Sequence, residues 1–243
     1  MRAIVAVNVV VPLAAILIVL VLPIEQPVKQ GIVIMAVSPL APLIPGRLLK
    51  AGAHPSVAVG FYFWLLVLAV VIVPASVALL GALTATNIFL PVGKIAWLVL
   101  ASVLAPLMGG MVIASLLPRQ APKLAKIAGL LGNLMLLLFV AAILYLAGGK
   151  IVGLAQDGTL LACIVTVMAA LAGGHLLGGP EPRNRMALGI AAATRHPGIA
   201  VMIAGSALDD RRVTLAVLLF LFVSVIVSAI YQTWAMKRIT AQG

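Results

Sequence analysis

Apolar side chains run through this chain in long blocks separated by short polar stretches. At about 20 residues per bilayer crossing the blocks divide into eight windows. These lie at residues 3–22, 31–50, 56–83, 92–117, 123–147, 158–177, 185–207 and 212–236. The fold expected is all-α, a polytopic membrane protein of about eight transmembrane helices. The first window begins at residue 3, but its apolar run is longer than a signal-peptide core and no small-residue cleavage site follows, so a mature helix is expected there.

Two windows cannot be continuous helices. In the second, the run from Ser38 to Gly46 holds Pro39, Pro42 and Pro45, each lacking an N–H and each clashing with the preceding turn. In the seventh, Pro197 removes the bond to residue 193 and Gly198 follows it, so the window divides into two half-helices near 193–198. Each broken window lies between two unbroken ones, over 3–83 and again over 158–236, which reads as an internal repeat. Four unbroken windows lie between the two broken ones, an odd step of five from the second window to the seventh, so the second copy is inverted. The chain accordingly divides into a first core repeat at 1–83, two panel-type spans at 84–150 and a second core repeat at 151–243. Broken helices at matching places in inverted repeats are the sequence mark of a secondary transporter, whose sites form where unwound backbone meets near the midplane.

Composition confirms the class: 64% of the residues are hydrophobic and 9% charged, with a mean hydropathy of +1.28. A soluble domain carries about a quarter charged residues, so a water-soluble enzyme, a disulfide scaffold and a nucleic-acid module are excluded. The one cysteine, Cys163, permits no intramolecular disulfide. The net charge of +11 reads as an orientation signal. Arg2, Arg47, Lys50, Arg119, Lys123, Lys126, Arg183, Arg185, Lys237 and Arg238 fall on one side, and Lys29, Lys94, Lys150, Arg211 and Arg212 on the other. The ten-to-five bias places both termini in the cytoplasm, in a cell inner membrane.

Arg195 belongs to neither side. It stands about 15–18 Å from each end of its window at helical rise, near the bilayer centre, where an arginine costs at least about 2.5–3.5 kcal/mol and must face protein or water. The five acidic residues, Glu25, Asp157, Glu181, Asp209 and Asp210, all lie at loops or helix ends. Arg195 is therefore neutralised either by a carbonyl-lined gap or by an anionic substrate. His196 beside it has a reference pKa near 6.5, suited to proton coupling; alternatively it hydrogen-bonds a carbonyl freed by Pro197.

Three stretches resemble the bile acid:sodium symporter family, in its broad bacterial sodium-dependent transporter group. Ser38-Pro39, with the run down to Arg47-Leu48-Leu49-Lys50-Ala51-Gly52, is similar to the family's Ser-Pro-Gly-Gly element and its downstream Ala-Lys-Gly. Arg185 to Ala200, ending Thr194-Arg195-His196-Pro197-Gly198-Ile199-Ala200, resembles the element that reads Gly-Met-Gln-Asn-Ser-Gly-Leu-Ala or Arg-Asn-Pro-Gly-Leu-Ala. Asn8 through Pro12 resembles the third family helix. The resemblance implies ten helices in two inverted five-helix repeats, with a core of crossing discontinuous helices and a separate panel. The eight windows would match helices three to ten. The first two would be lost in a shortened relative or through a displaced start, or supplied by a second subunit.

Sodium in the bile-acid members is held by a glutamate and by Asn, Gln, Ser and Thr oxygens, hard ligands for a hard cation. Here Ala191 aligns with the glutamate, and Arg195 and His196 with the glutamine and asparagine. A fixed guanidinium repels sodium, so Arg195 is expected to take the cation's place and bind an organic anion directly. The substrate or ion site is expected from Asn8, Ser38, Pro39, Thr194, Arg195 and His196, with the break geometry set by Pro42, Pro45, Gly46, Pro197 and Gly198. No metal site and no cofactor are expected beyond coupling to sodium or protons. The partners expected are a small organic anion, the bilayer, and either a second copy or a subunit completing the panel; no nucleic acid is expected. No HExxH, Gly-x-Ser-x-Gly or P-loop is present, so the chain does not read as an enzyme. The alternatives to a transporter are an uncoupled channel and a non-transporting subunit or receptor derived from one.

Among the remaining polar residues, His175 reads as an interface residue and His54-Pro55 as a helix start. Asn133 is placed to bond across helices, and Gly189 with Ala193 forms a small-xxx-small pair suited to close helix packing. Asp209 and Asp210 are expected at the N-terminus of the last helix, where its dipole favours them.

Overall fold

Proline and glycine set where the helices begin and end. The computed structural model describes residues 2–41, 46, 55–84, 92–156, 158–207 and 210–241, and among these residues it contains nine helices and no strand. They are α1 (Arg2–Val21), α2 (Gln26–Val37), α3 (Pro55–Thr84), α4 (Val92–Val99, continuing through Leu100–Leu104 and Ala105–Leu116), α5 (Ala121–Leu154), α6 (Thr159–Leu177), α7 (Pro182–Ala193), α8 (Pro197–Ala207) and α9 (Arg211–Thr240). Among the described residues α1, α4, α5, α6 and α9 are long and apolar enough to cross a membrane, the build of a membrane-embedded protein.

Prolines open α2, α5, α7 and α8, where the missing N–H would have had no helical partner anyway. Gly158 and Gly179 turn the chain into and out of α6, with φ of +82° and +85°. Asp210 caps α9, its Oδ1 accepting the Arg212 backbone N–H at 2.8 Å.

Two prolines inside helices leave a different mark. In α1 the Ala6–Val10 segment is π-helical, and the Val11 N–H bonds back to the Ala6 carbonyl rather than to that of Val7. The next donor along would be residue 12, which is Pro12. The Val7 carbonyl is thereby left without a helical donor. The same register recurs in α4, where Ala105 bonds to the Leu100 carbonyl and Pro106 follows.

The buried core runs between α1, α2, α6, α7, α8 and α9 and continues onto one face each of α3 and α4, through Leu66, Val73, Ile95 and Val99. The tightest contact is between α6 and α7: a Cβ on Gly174 would stand 2.5 Å from the Leu188 carbonyl oxygen and 2.7 Å from the Gly189 Cα. The small residue at 189 thus serves the close approach that its spacing suggests, against Gly174 across the pair. Around this core α3 packs on α4, and α5 touches α9. Ile143 and Ile151 are the only buried side chains of the 34-residue α5, so nearly its whole apolar surface faces outward. Asn133 is on that outward surface and makes no cross-helix hydrogen bond, contrary to the expectation drawn from its apolar surroundings.

Candidate functional site

Helix α2 stops at Val37 because Ser38 precedes a proline and is pushed to extended geometry, with φ −61° and ψ 151°. Helix α7 stops at Ala193, and the chain re-enters helix at Pro197 after three residues. These two non-helical stretches meet and run antiparallel, with Leu40 opposite Arg195. The His196 N–H donates to the Pro39 carbonyl at 2.8 Å and the Ala41 N–H to the Thr194 carbonyl at 3.4 Å. Backbone groups that no helix can satisfy therefore satisfy one another, as an apolar interior demands.

Arg195 ties this crossing to α1. The residue is 2% exposed. Its Nη1 donates to the Ser38 carbonyl at 3.2 Å and its Nη2 to the Val7 carbonyl at 2.5 Å. The second acceptor is the carbonyl freed by the π segment ahead of Pro12. Three elements converge on one guanidinium: α1, the stretch after α2, and the stretch after α7.

The last carbonyl of α7 has a similar history. Pro197 has no N–H to offer Ala193, and the hydroxyl of Ser224 on α9 donates to the Ala193 oxygen instead, at 2.7 Å. Both residues are buried. Ser38 turns its own hydroxyl back to the Ile34 carbonyl at 2.8 Å. His196 sits at the N-cap of α8: its Nδ1 accepts the Ile199 backbone N–H at 3.4 Å. The ring thus meets a freed N–H, not a freed carbonyl, because Pro197 and Gly198 open the first turn of α8, whose amides have no helical acceptor.

Of the residues expected at a site, Ser38, Pro39, Thr194, Arg195 and His196 meet at the crossing, and Asn8 follows the Val7 whose carbonyl Arg195 holds. Pro197 and Gly198 begin α8. Gly46 is exposed, and Pro42 and Pro45 lie outside the described residues, as does His54. Among the described residues the buried Nδ2 of Asn8, Oγ1 of Thr194 and Nε of Arg195 find no hydrogen-bond partner. The described carboxylates are engaged elsewhere: Glu25 and Asp210 with Arg212 at 2.9 and 2.8 Å, and Glu181 with Asn184 at 2.8 Å. Among the described residues no group of His, Cys, Asp and Glu is disposed to hold a metal ion.

Ser224 and Val7 were not legible as site residues. Ser224 is a lone hydroxyl in an apolar span, and its one signal is that Pro197 orphans a carbonyl that some donor must meet. No protein-family model matches the chain, and no curated protein matches it.

Proposed function

We propose that the protein is a secondary active transporter that moves a small organic anion by alternating access at the crossing of the 38–41 and 194–196 stretches. The observation that carries this reading is Arg195: a guanidinium 2% exposed, where the non-helical stretches after α2 and α7 meet, with no carboxylate partner among the described residues. Two backbone carbonyls satisfy two of its nitrogens, but among the described residues nothing cancels its positive charge and its Nε–H has no acceptor. A buried charge without a counter-charge is costly. An anion with several acceptor oxygens supplies both what the charge and what the unmet donors of Arg195, Asn8 and Thr194 require.

The resemblance to bile acid:sodium symporters fits inverted repeats and a panel completed by a second subunit or a second copy, and the Lys and Arg bias between loops fits both termini in the cytoplasm, in an inner membrane. Sodium itself fits the residues poorly. The carbonyls of Val7 and Ser38, hard oxygens of the kind sodium takes, are both held by the guanidinium, and Ala191 stands where the resemblance puts the glutamate. Coupling therefore runs through protons, with His196 as the titrating group.

Counterflow in proteoliposomes tests this. Protein reconstituted with an unlabelled organic anion inside should accumulate the labelled anion from outside, saturably, under a proton gradient and without sodium. Arg195→Gln, purified as a monodisperse folded protein, should lose it. Linear, non-saturating flux would mean a channel, and binding without flux a receptor; either result overturns the proposal.

A further inference from the structure

At the end of the molecule where α6 turns into α7 and α9 finishes, a cavity of about 170 Å³ is lined by His175, Pro182, Arg185, Trp234, Ala235, Arg238 and Ile239. Its basic and apolar halves are held in place. The Arg238 guanidinium lies over the Trp234 ring at 4.7 Å from its centroid. A cation–π contact uses none of the guanidinium's N–H groups as conventional hydrogen bonds, so they stay available to an anion. Arg185 spends its Nε on the Gly179 carbonyl at 2.6 Å, which fixes the side chain and leaves its two terminal nitrogens unspent. His175 Nδ1 is 2.6 Å from the Tyr231 hydroxyl, and the rings of His175, Tyr231 and Trp234 pack together.

Among the described residues no carboxylate answers these cations. Among the described residues neither Arg185 nor Arg238 forms an ion pair, and Glu181, the nearest acid along the chain, is bonded to Asn184. Arg2 adds a further cation against the same turn: its Nη1 is 3.8 Å from where a Cβ on Gly179 would stand. Trp234 is 45% exposed in the last two turns of a membrane-length helix, the place where aromatic rings meet the headgroup layer.

We propose that this cavity is a binding site for the phosphodiester headgroup of an anionic phospholipid, gripped by Arg185 and Arg238, with the first acyl carbons lying along Pro182, Trp234 and Ile239. A paired-arginine site for a phosphate, open to apolar side chains at headgroup depth, matches a lipid better than a soluble anion, because only a lipid fills both halves. The site joins α6, α7 and α9, and α7 leads from it directly to Arg195.

The test is thermal unfolding of the delipidated protein in a neutral detergent, titrated with phosphatidylglycerol, phosphatidylcholine or inorganic phosphate. Phosphatidylglycerol should raise Tm saturably, and the other two should not. In Arg185→Gln/Arg238→Gln the half-saturating lipid concentration should rise tenfold or more, by about 1.4 kcal/mol or more in affinity. The equal-charge control Arg183→Gln/Lys237→Gln, at the same end but outside the cavity, should move it no more than about threefold. Arg238→Gln alone, which removes no hydrogen bond within the protein, keeps the test valid if the double variant misfolds, and should show most of the loss. Equal loss in the control pair, an equal shift from phosphatidylcholine, or an equal shift from inorganic phosphate would each overturn the assignment.

Discussion

Removing the Ser224 hydroxyl isolates the chemistry of the interrupted helix from any ligand. In Ser224→Ala the Ala193 carbonyl loses the donor that stands in for the missing N–H of Pro197, at a place where Ala193 is 2% and Ser224 3% exposed. No solvent reaches it. A buried acceptor left unpaired costs about 1–3 kcal/mol, while hydrogen bonds between membrane helices average about 0.6 and reach about 1.7 kcal/mol, because the unfolded chain in a micelle also finds partners. The 2.7 Å geometry and the absence of an alternative helical donor put this bond at the upper end of the membrane range, so a loss of about 1–2 kcal/mol is expected. Ser228, one turn further along α9, is the internal control: it is 1% exposed and its hydroxyl has no partner among the described residues. Ser228→Ala should therefore be neutral or stabilising. Both can be read from SDS-induced unfolding in mixed micelles, followed by tryptophan fluorescence. If Ser224→Ala is no less stable than Ser228→Ala, the hydroxyl does not cap the broken helix, and the account of the break fails.

Further outcomes follow from packing and capping. Gly174→Ala should destabilise by about 1–3 kcal/mol, since its Cβ would press on the backbone of α7, whereas Gly129→Ala on α5, with nothing within 4 Å of the new carbon, should be neutral or up to about 1 kcal/mol more stable; thermal unfolding in one detergent compares them. His196→Ala should cost at most about 1 kcal/mol by losing the long cap to Ile199, and His196→Asn should retain it. The hydrogen bonds from the Arg212 side chain, and then its backbone, hold the Asp210 carboxyl below the ordinary carboxylate range. A carboxyl with a depressed folded pKa adds stability above its unfolded pKa and loses it as pH falls through the lower folded value, so wild type should show an acid-side loss, below about pH 4. Asp210→Asn keeps a cap and should lack that step. Asp210→Ala should lose about 0.5–1 kcal/mol at neutral pH.

Much of this architecture was readable from proline placement and block hydrophobicity. The ends of α1, α3, α6 and α9 fall within a few residues of the apolar windows, since a helix in lipid must satisfy its own backbone over the whole crossing. Arg195 stood out because a charge at that depth needs an explanation. Its partners were less accessible to sequence reasoning. The choice of Val7 depends on a π-helical register that follows from Pro12 only once one knows which carbonyl faces the crossing. Ser224 and Ala193 are far apart in the chain, and a single serine in an apolar span carries no mark of its partner. The cluster of His175, Tyr231, Trp234 and Arg238 joins two helices whose relative rotation no one-dimensional pattern contains, and Asn133 could have faced either way.

The proposed function requires Arg195 to bind an organic anion in place of a sodium ion. The most direct measurement is the thermal stability of the detergent-purified protein against a panel of organic anions, each in sodium and in choline buffer, beside Arg195→Ala and Arg195→Lys. A ligand bound only by the folded state raises Tm with its concentration over Kd. A saturable shift from at least one anion is expected, equal in both buffers, weakened in Arg195→Lys and lost in Arg195→Ala. A shift that requires sodium, or one that survives unchanged in Arg195→Ala, would contradict it.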